Sequence, residues 1–157
     1  MSMIGELRMV PAAALAALTA PATRGPALRA LMDGDGVCLD KRWEVLTHVL
    51  EAATGQDTLG WVGLPLDWTD TGYGPPLLIS VDEVREVAAV LDGLDDAAVV
   101  DAFDPDALAH EGLYCPPPTS EPERGEYLAE LVTLVGAVRR LFSEAAAAGH
   151  GALHYLT

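Results

Sequence analysis

The residues Asp40-Lys41-Arg42-Trp43-Glu44 bring an aspartate, two cations, an indole and a carboxylate together at the start of an apolar-periodic stretch. Aspartate is a favoured helix cap, so the pattern predicts a helix beginning at Asp40 with Lys41 and Arg42 in its first turn. That turn carries partial positive charge from unpaired N–H groups, so two cations there run against the helix dipole. A place that breaks a local rule without local gain is where a functional or tertiary constraint is expected. An arginine beside helix-terminal amides can receive a phosphate or carboxylate, or it can form a structural ion pair, for which Asp67 and Asp70 are partners. Lys41, Arg42, Trp43 and Tyr73 are therefore the ligand-binding candidates, for an anionic ligand.

Further along the same stretch, Glu44, His48 and Glu51 are spaced by four and three, so that a carboxylate can raise the basicity of His48. His48 is the one catalytic candidate, as an acid or base, and a solvated helix face explains the same three residues. At about 100° per residue, Leu46, Val49, Leu50 and Ala53 share the side of Trp43, and Glu44 and His48 lie opposite. Trp61, Trp68 and Tyr73 sit in a Gly/Pro-rich stretch, either as binding anchors or as pins holding a loop to the core. Asp33 and Asp35 with Glu44 have the outline of a calcium loop, but Cys38 occupies the position that needs glycine. His150 and His154 straddle a helix end and a strand, where convergence on a metal is not required. Cys38 and Cys115 lack CxxC partners, and no common hydrolase, metalloprotease or phosphate-loop motif occurs. No metal or cofactor is expected.

The elements that would position these groups suit one domain over residues 1–157, with half the residues apolar. Met3–Met9 reads as a strand, followed by helices at Pro11–Leu18 and Ala22–Met32 and a turn at Asp33–Gly36. The central helix runs from Asp40 to Gly55, with Trp43, Leu46, Leu50 and Ala53 at helical spacing. Leu59–Pro76 is an aromatic-bearing loop, and Leu77–Ile79 a short strand. Ser80 with Glu83 then signals a capping box for a helix through Leu91. Short helices are expected at Asp95–Phe103 and Pro105–His110, and Pro116–Pro118 forces an extended crossing. The longest helix spans Glu123–Ala148 with the stripe Leu128, Leu131, Val135, Val138, Leu141, Phe142 and Ala145, before a buried terminal strand at Gly151–Thr157.

The net charge of −15 is uneven, since Asp82–Glu111 holds ten carboxylates against Arg85 alone. Such a field repels a phosphate backbone, which argues against nucleic acid as a partner. It suits either a solvated acidic face or a basic protein partner, for which Asp92, Asp95, Asp96 and Asp101 are the docking candidates. No apolar run approaches a membrane span, and Glu6 spoils the basic start of a signal segment, so a cytoplasmic, reducing setting is expected.

Three segments together resemble the YfbM-like family (DUF1877): Met3-Ile4-Gly5, Leu39-Asp40-Lys41-Arg42-Trp43-Glu44, and Gly72-Tyr73-Gly74-Pro75. Phe103-Asp104-Pro105, Leu113-Tyr114 with a following proline, and the long helix ending at Gly149 before a last strand are similar to the family as well. Where family members carry Leu-His in the central helix, this chain has Leu46-Thr47-His48, which weakens a catalytic role for His48. The resemblance implies a compact α+β domain, with a small sheet including both terminal strands packed against about five or six helices. It carries no activity, because the family is a domain of unknown function. Non-enzymatic interaction through the acidic face is the leading expectation. The rival is an anion site between the start of the central helix and the Gly72-Tyr73-Gly74 loop.

Overall fold

The computed structural model describes residues 2–57, 62–67 and 73–157. The chain ends meet in the middle of its sheet. Strand β1 (Gly5–Val10) pairs along its whole length with β5 (Gly151–Leu156), from Gly5 opposite Leu156 to Val10 opposite Gly151. On the far side of β5 lie β4 (Leu77–Ile79) and β3 (Leu64–Pro65), and on the far side of β1 lies β2 (Gly36–Asp40). Every pairing is antiparallel, in the order β2-β1-β5-β4-β3.

Strand alternation divides the apolar side chains between two faces. Leu7, Leu39, Ile79 and Ala152 enter the larger core, built with α3 (Trp43–Thr54), α4 (Val81–Asp92), α5 (Asp96–Ala102) and α7 (Glu123–Ala148). Val10, Leu78, Leu153 and Tyr155 face the other way and pack with Leu18 of α1 (Ala12–Thr19) and Leu28 of α2 (Pro21–Met32). Helix α6 (Pro105–Leu108) makes seven helices among the described residues, against the five or six expected. The protein is an α+β domain with both terminal strands in its sheet. Six of the seven predicted stripe positions of α7, from Leu131 to Ala145, are buried, while Leu128 is partly covered. The capping box of α4 forms as expected: Glu83 N–H donates to Ser80 Oγ at 3.2 Å and Ser80 N–H to Glu83 Oε2 at 2.7 Å.

The prediction fails at Gly36–Asp40. These residues form strand β2, with Leu39 fully buried, where the sequence suggested only a turn running into a helix. Asp40 ends the strand with φ of 52°, a left-handed conformation that aspartate tolerates better than most side chains. Helix α3 consequently begins at Trp43, its cap position is Arg42, and no side chain caps it. Arg42 therefore stands at the positive end of the helix, and the carboxylates of Asp40 and Glu130 that pair with it offset the conflict with its dipole.

Candidate functional site

Gly5 is buried on β1, and a Cβ built there would lie 2.4 Å from Cβ of Trp43. The missing side chain lets the first residue of α3 rest directly on the strand. From that contact α3 presents Trp43, Glu44, Thr47 and His48 along one arc, while Val45, Leu46, Val49 and Leu50 are buried in the larger core. The helix departs from the two-sided division expected of it. Trp43 belongs to the edge of the core and also to the same wall as Glu44 and His48, because positions four apart form adjacent rows along the helix.

Those four residues form one side of a cavity of about 760 Å³. Strands β3, β4 and β5 contribute Pro65, Leu77, His154 and Leu156, and the segment before β4 contributes Tyr73, Gly74 and Pro75. His154 pairs with Leu7 on one side and Leu77 on the other, and only 6% of it is exposed. It is the polar group on the strand side, where the sequence alone implies only terminal-strand packing. The available signal was a histidine at a core-facing position in an otherwise apolar strand. Gly74, with φ of 99°, makes the turn after Tyr73 that a side chain would strain. Trp61, Trp68, Asp70 and Gly72, singled out from the sequence, lie outside the described residues.

Glu44 and His48 do not form an ion pair. One oxygen of Glu44 instead accepts the backbone N–H of Tyr114 at 2.6 Å, tying the 113–114 segment to α3. Thr47 donates its hydroxyl to the Trp43 carbonyl at 2.9 Å, within the helix. His48 is half-buried on the wall. His150 does not join it: its Nδ1 accepts the N–H of Ala12 at 3.2 Å, at the start of α1.

Neither cation of the predicted anion site lines this cavity. Lys41 is exposed, and Arg42 points its interactions the other way, to Asp40 at 3.1 Å and to Glu130 of α7, with its guanidinium 5.2 Å from the Tyr127 ring centre. The ion-pair partners are thus Asp40 and Glu130; Asp67 is exposed, and its carbonyl accepts from Arg24. Burial, followed by Cys115 and the two carboxylates around Arg42, pushes the Tyr127 phenol up to about 12 against the opposing pull of Arg42. Burial likewise raises the Cys38 thiol and the Tyr155 phenol, the latter again opposed by an arginine, Arg8.

The acidic candidates divide by use. Asp95 accepts the Ala98 N–H at 2.8 Å as the cap of α5, and Asp96 lies 3.6 Å from Arg139. Asp92 and Asp101 are exposed, and their side chains make no hydrogen bond or ion pair with the described residues. Among those residues no three potential metal ligands cluster, and no helix is long and apolar enough to cross a membrane.

A family model described as a domain of unknown function (DUF1877) matches residues 1–155. Among solved structures, the chain is similar to the crystal structure of YfbM from Escherichia coli, a protein of unknown function. The two share 17% identity over 98% of this chain and 99% of that one, with a TM-score of 0.68. No curated protein matches.

Proposed function

Because the chain belongs to the DUF1877 family, which carries no activity across, we propose from the site itself that the protein binds a small, neutral or cationic organic molecule with an unsaturated part. The observation that carries this reading is the convergence of Trp43, His48, Tyr73 and His154, from three separate segments, on one cavity of about 760 Å³. That volume falls within the roughly 300–1,000 Å³ range of ligand sites, and its mixture of aromatic and apolar walls with a few polar groups is their usual composition. Glu44 is the carboxylate on the lining, and Lys41 and Arg42 are not part of it. A chain of net charge −15 further draws cations and repels anions. His48 is the group placed to move a proton if the bound molecule is also transformed.

A thermal-shift screen with matched cationic, neutral and anionic sets tests the reading. A ligand at 100 times its Kd should raise the melting temperature by roughly 5–10 °C in a domain of this size. Tyr73→Ala should remove that shift while moving the free protein by less than about 2 °C, since Tyr73 is only half-buried. Lys41→Ala should leave the shift intact. Hits confined to anions and abolished by Lys41→Ala would reject the proposal in favour of an anion site at the turn before α3.

A second reading is a basic protein partner on the acidic surface, supported by Asp92 and Asp101, which face solvent without an internal role. Reversing both charges should then abolish capture of that partner at low salt, and unchanged capture would sink it. The free cysteines Cys38 and Cys115 suit a reducing, cytoplasmic setting for either reading.

A further inference from the structure

The cavity lies toward the β3 side of the sheet, and the opposite margin is β2. A strand at a margin offers unpaired N–H and C=O groups to any extended chain, and proteins commonly guard such edges by brevity, proline or charge. The β3 margin is guarded in this way: the strand is two residues long, and Pro65 has no N–H to offer. The β2 margin is guarded only at its end, by a register shift at Leu39 and the charge of Asp40, and is open over residues 36–38. Gly36-Val37-Cys38-Leu39-Asp40 is five residues long, contains neither proline nor lysine, and among the described residues pairs with β1 alone.

Beside this edge runs an open groove of about 620 Å³ whose second wall is α7. Ala129, Thr133 and Ala137 line it at intervals of four as one row of small side chains, beside a second row formed by Glu130 and Leu134. At one end, Asp40 and Glu130 flank Arg42. The carboxylate side chains are 51% and 58% exposed, whereas Arg42 is 27% exposed, so the groove shows solvent an acidic end.

We propose that β2 accepts an extended basic peptide segment of a partner protein as a sixth strand. Main-chain hydrogen bonds to the free edge supply affinity, small apolar side chains settle over Ala129, Thr133 and Ala137, and a lysine or arginine meets Asp40 and Glu130. A second copy of this chain fits the groove less well. Two bodies of charge −15 repel each other, and β2 carries no cation to meet the carboxylates of a neighbour. This site is independent of the cavity assigned above to a small molecule.

The test uses the whole protein and an acetylated, amidated probe peptide, Val-Arg-Val-Thr-Val-Arg-Val-Thr, followed by fluorescence anisotropy and amide hydrogen exchange. Saturable binding is expected, with slowed exchange within residues 36–40. N-methylation of alternate probe amides should weaken it at least tenfold. Thr133→Trp, at an exposed position, should do the same without changing the melting temperature. The proposal is overturned by no binding, by equal binding of the N-methylated probe, which would mean charge attraction alone, or by unchanged exchange at 36–40. Self-association that disappears in Thr133→Trp would also overturn it, by making a second copy the occupant.

Discussion

Gly5 and Trp43 set the geometry of the cavity through one contact between a strand and a helix. A methyl at Gly5 would stand 2.4 Å from Trp43 Cβ, next to the backbone of α3, so no rotamer change relieves it. Gly5→Ala should therefore cost about 1–3 kcal/mol in urea unfolding, as overpacking does, and should weaken any cavity ligand because Trp43 must move. Wild-type stability in that variant would mean that the contact is not tight. Tyr127 offers the opposite case. Its hydroxyl is buried without a hydrogen-bond partner among the described residues, so Tyr127→Phe removes a desolvated polar group and should keep or raise the melting temperature at neutral pH. The sign of its pH dependence follows from the raised phenol. The folded state holds the proton up to about 12, while an unfolded tyrosine releases it near 10. Below pH 10 both states are protonated, and between 10 and 12 only the unfolded state gains by ionising, so stability falls as pH rises through that window. Unfolding followed from pH 9 to pH 12 should show a shallower decline in Tyr127→Phe than in the wild type, and parallel curves would mean that the phenol ionises equally in both states.

At the scale of elements, Arg42 and Trp43 are neighbours that make different joints: Arg42 joins the turn before α3 to α7, and Trp43 joins α3 to β1. Arg42→Ala removes two ion pairs and a cation–π contact, for a loss of about 1–2 kcal/mol. Lys41→Ala, at an exposed position, should stay within about 0.5 kcal/mol. Equal losses for the two in parallel denaturant titrations would show that the turn itself, and not the Arg42 bridge, holds α3 in place. Ser80→Ala should cost about 0.5–2 kcal/mol through the start of α4. These contrasts also explain what could be read from residues alone. The helices of the larger core and the Ser80 cap announce themselves because their signals lie within a few residues of each other. The β2 strand did not: Val37 and Leu39 make too short an alternation, and its pairing with β1 is a contact across 30 residues of chain. The same limit hid His154 as part of the cavity, since its neighbours there come from α3 and the Tyr73 segment. The Trp43–Tyr73 association was legible, while the direction of Arg42 depended on Glu130, 88 residues away.

The whole molecule places its open edge at one margin and its cavity toward the other under a strongly negative field. Seven ion pairs among the described residues oppose that field locally, but in all except Arg8–Glu6 at least one side chain is more than half exposed, and exposed pairs contribute little. A net charge of −15 on 157 residues repels itself over the whole surface. Salt screens both terms, so the sign of its effect reveals which is larger. Raising sodium chloride from 0.01 M to 0.1 M shortens the screening length from about 30 Å to about 10 Å, which removes long-range repulsion while leaving contacts of 3–4 Å comparatively intact. The melting temperature should therefore rise over that interval, and the Arg42→Ala variant should rise at least as much as the wild type because it carries one more uncompensated negative charge. A fall in both would assign the balance to the ion pairs, and the acidic surface would then be held together by its few arginines more than it is strained by its own charge.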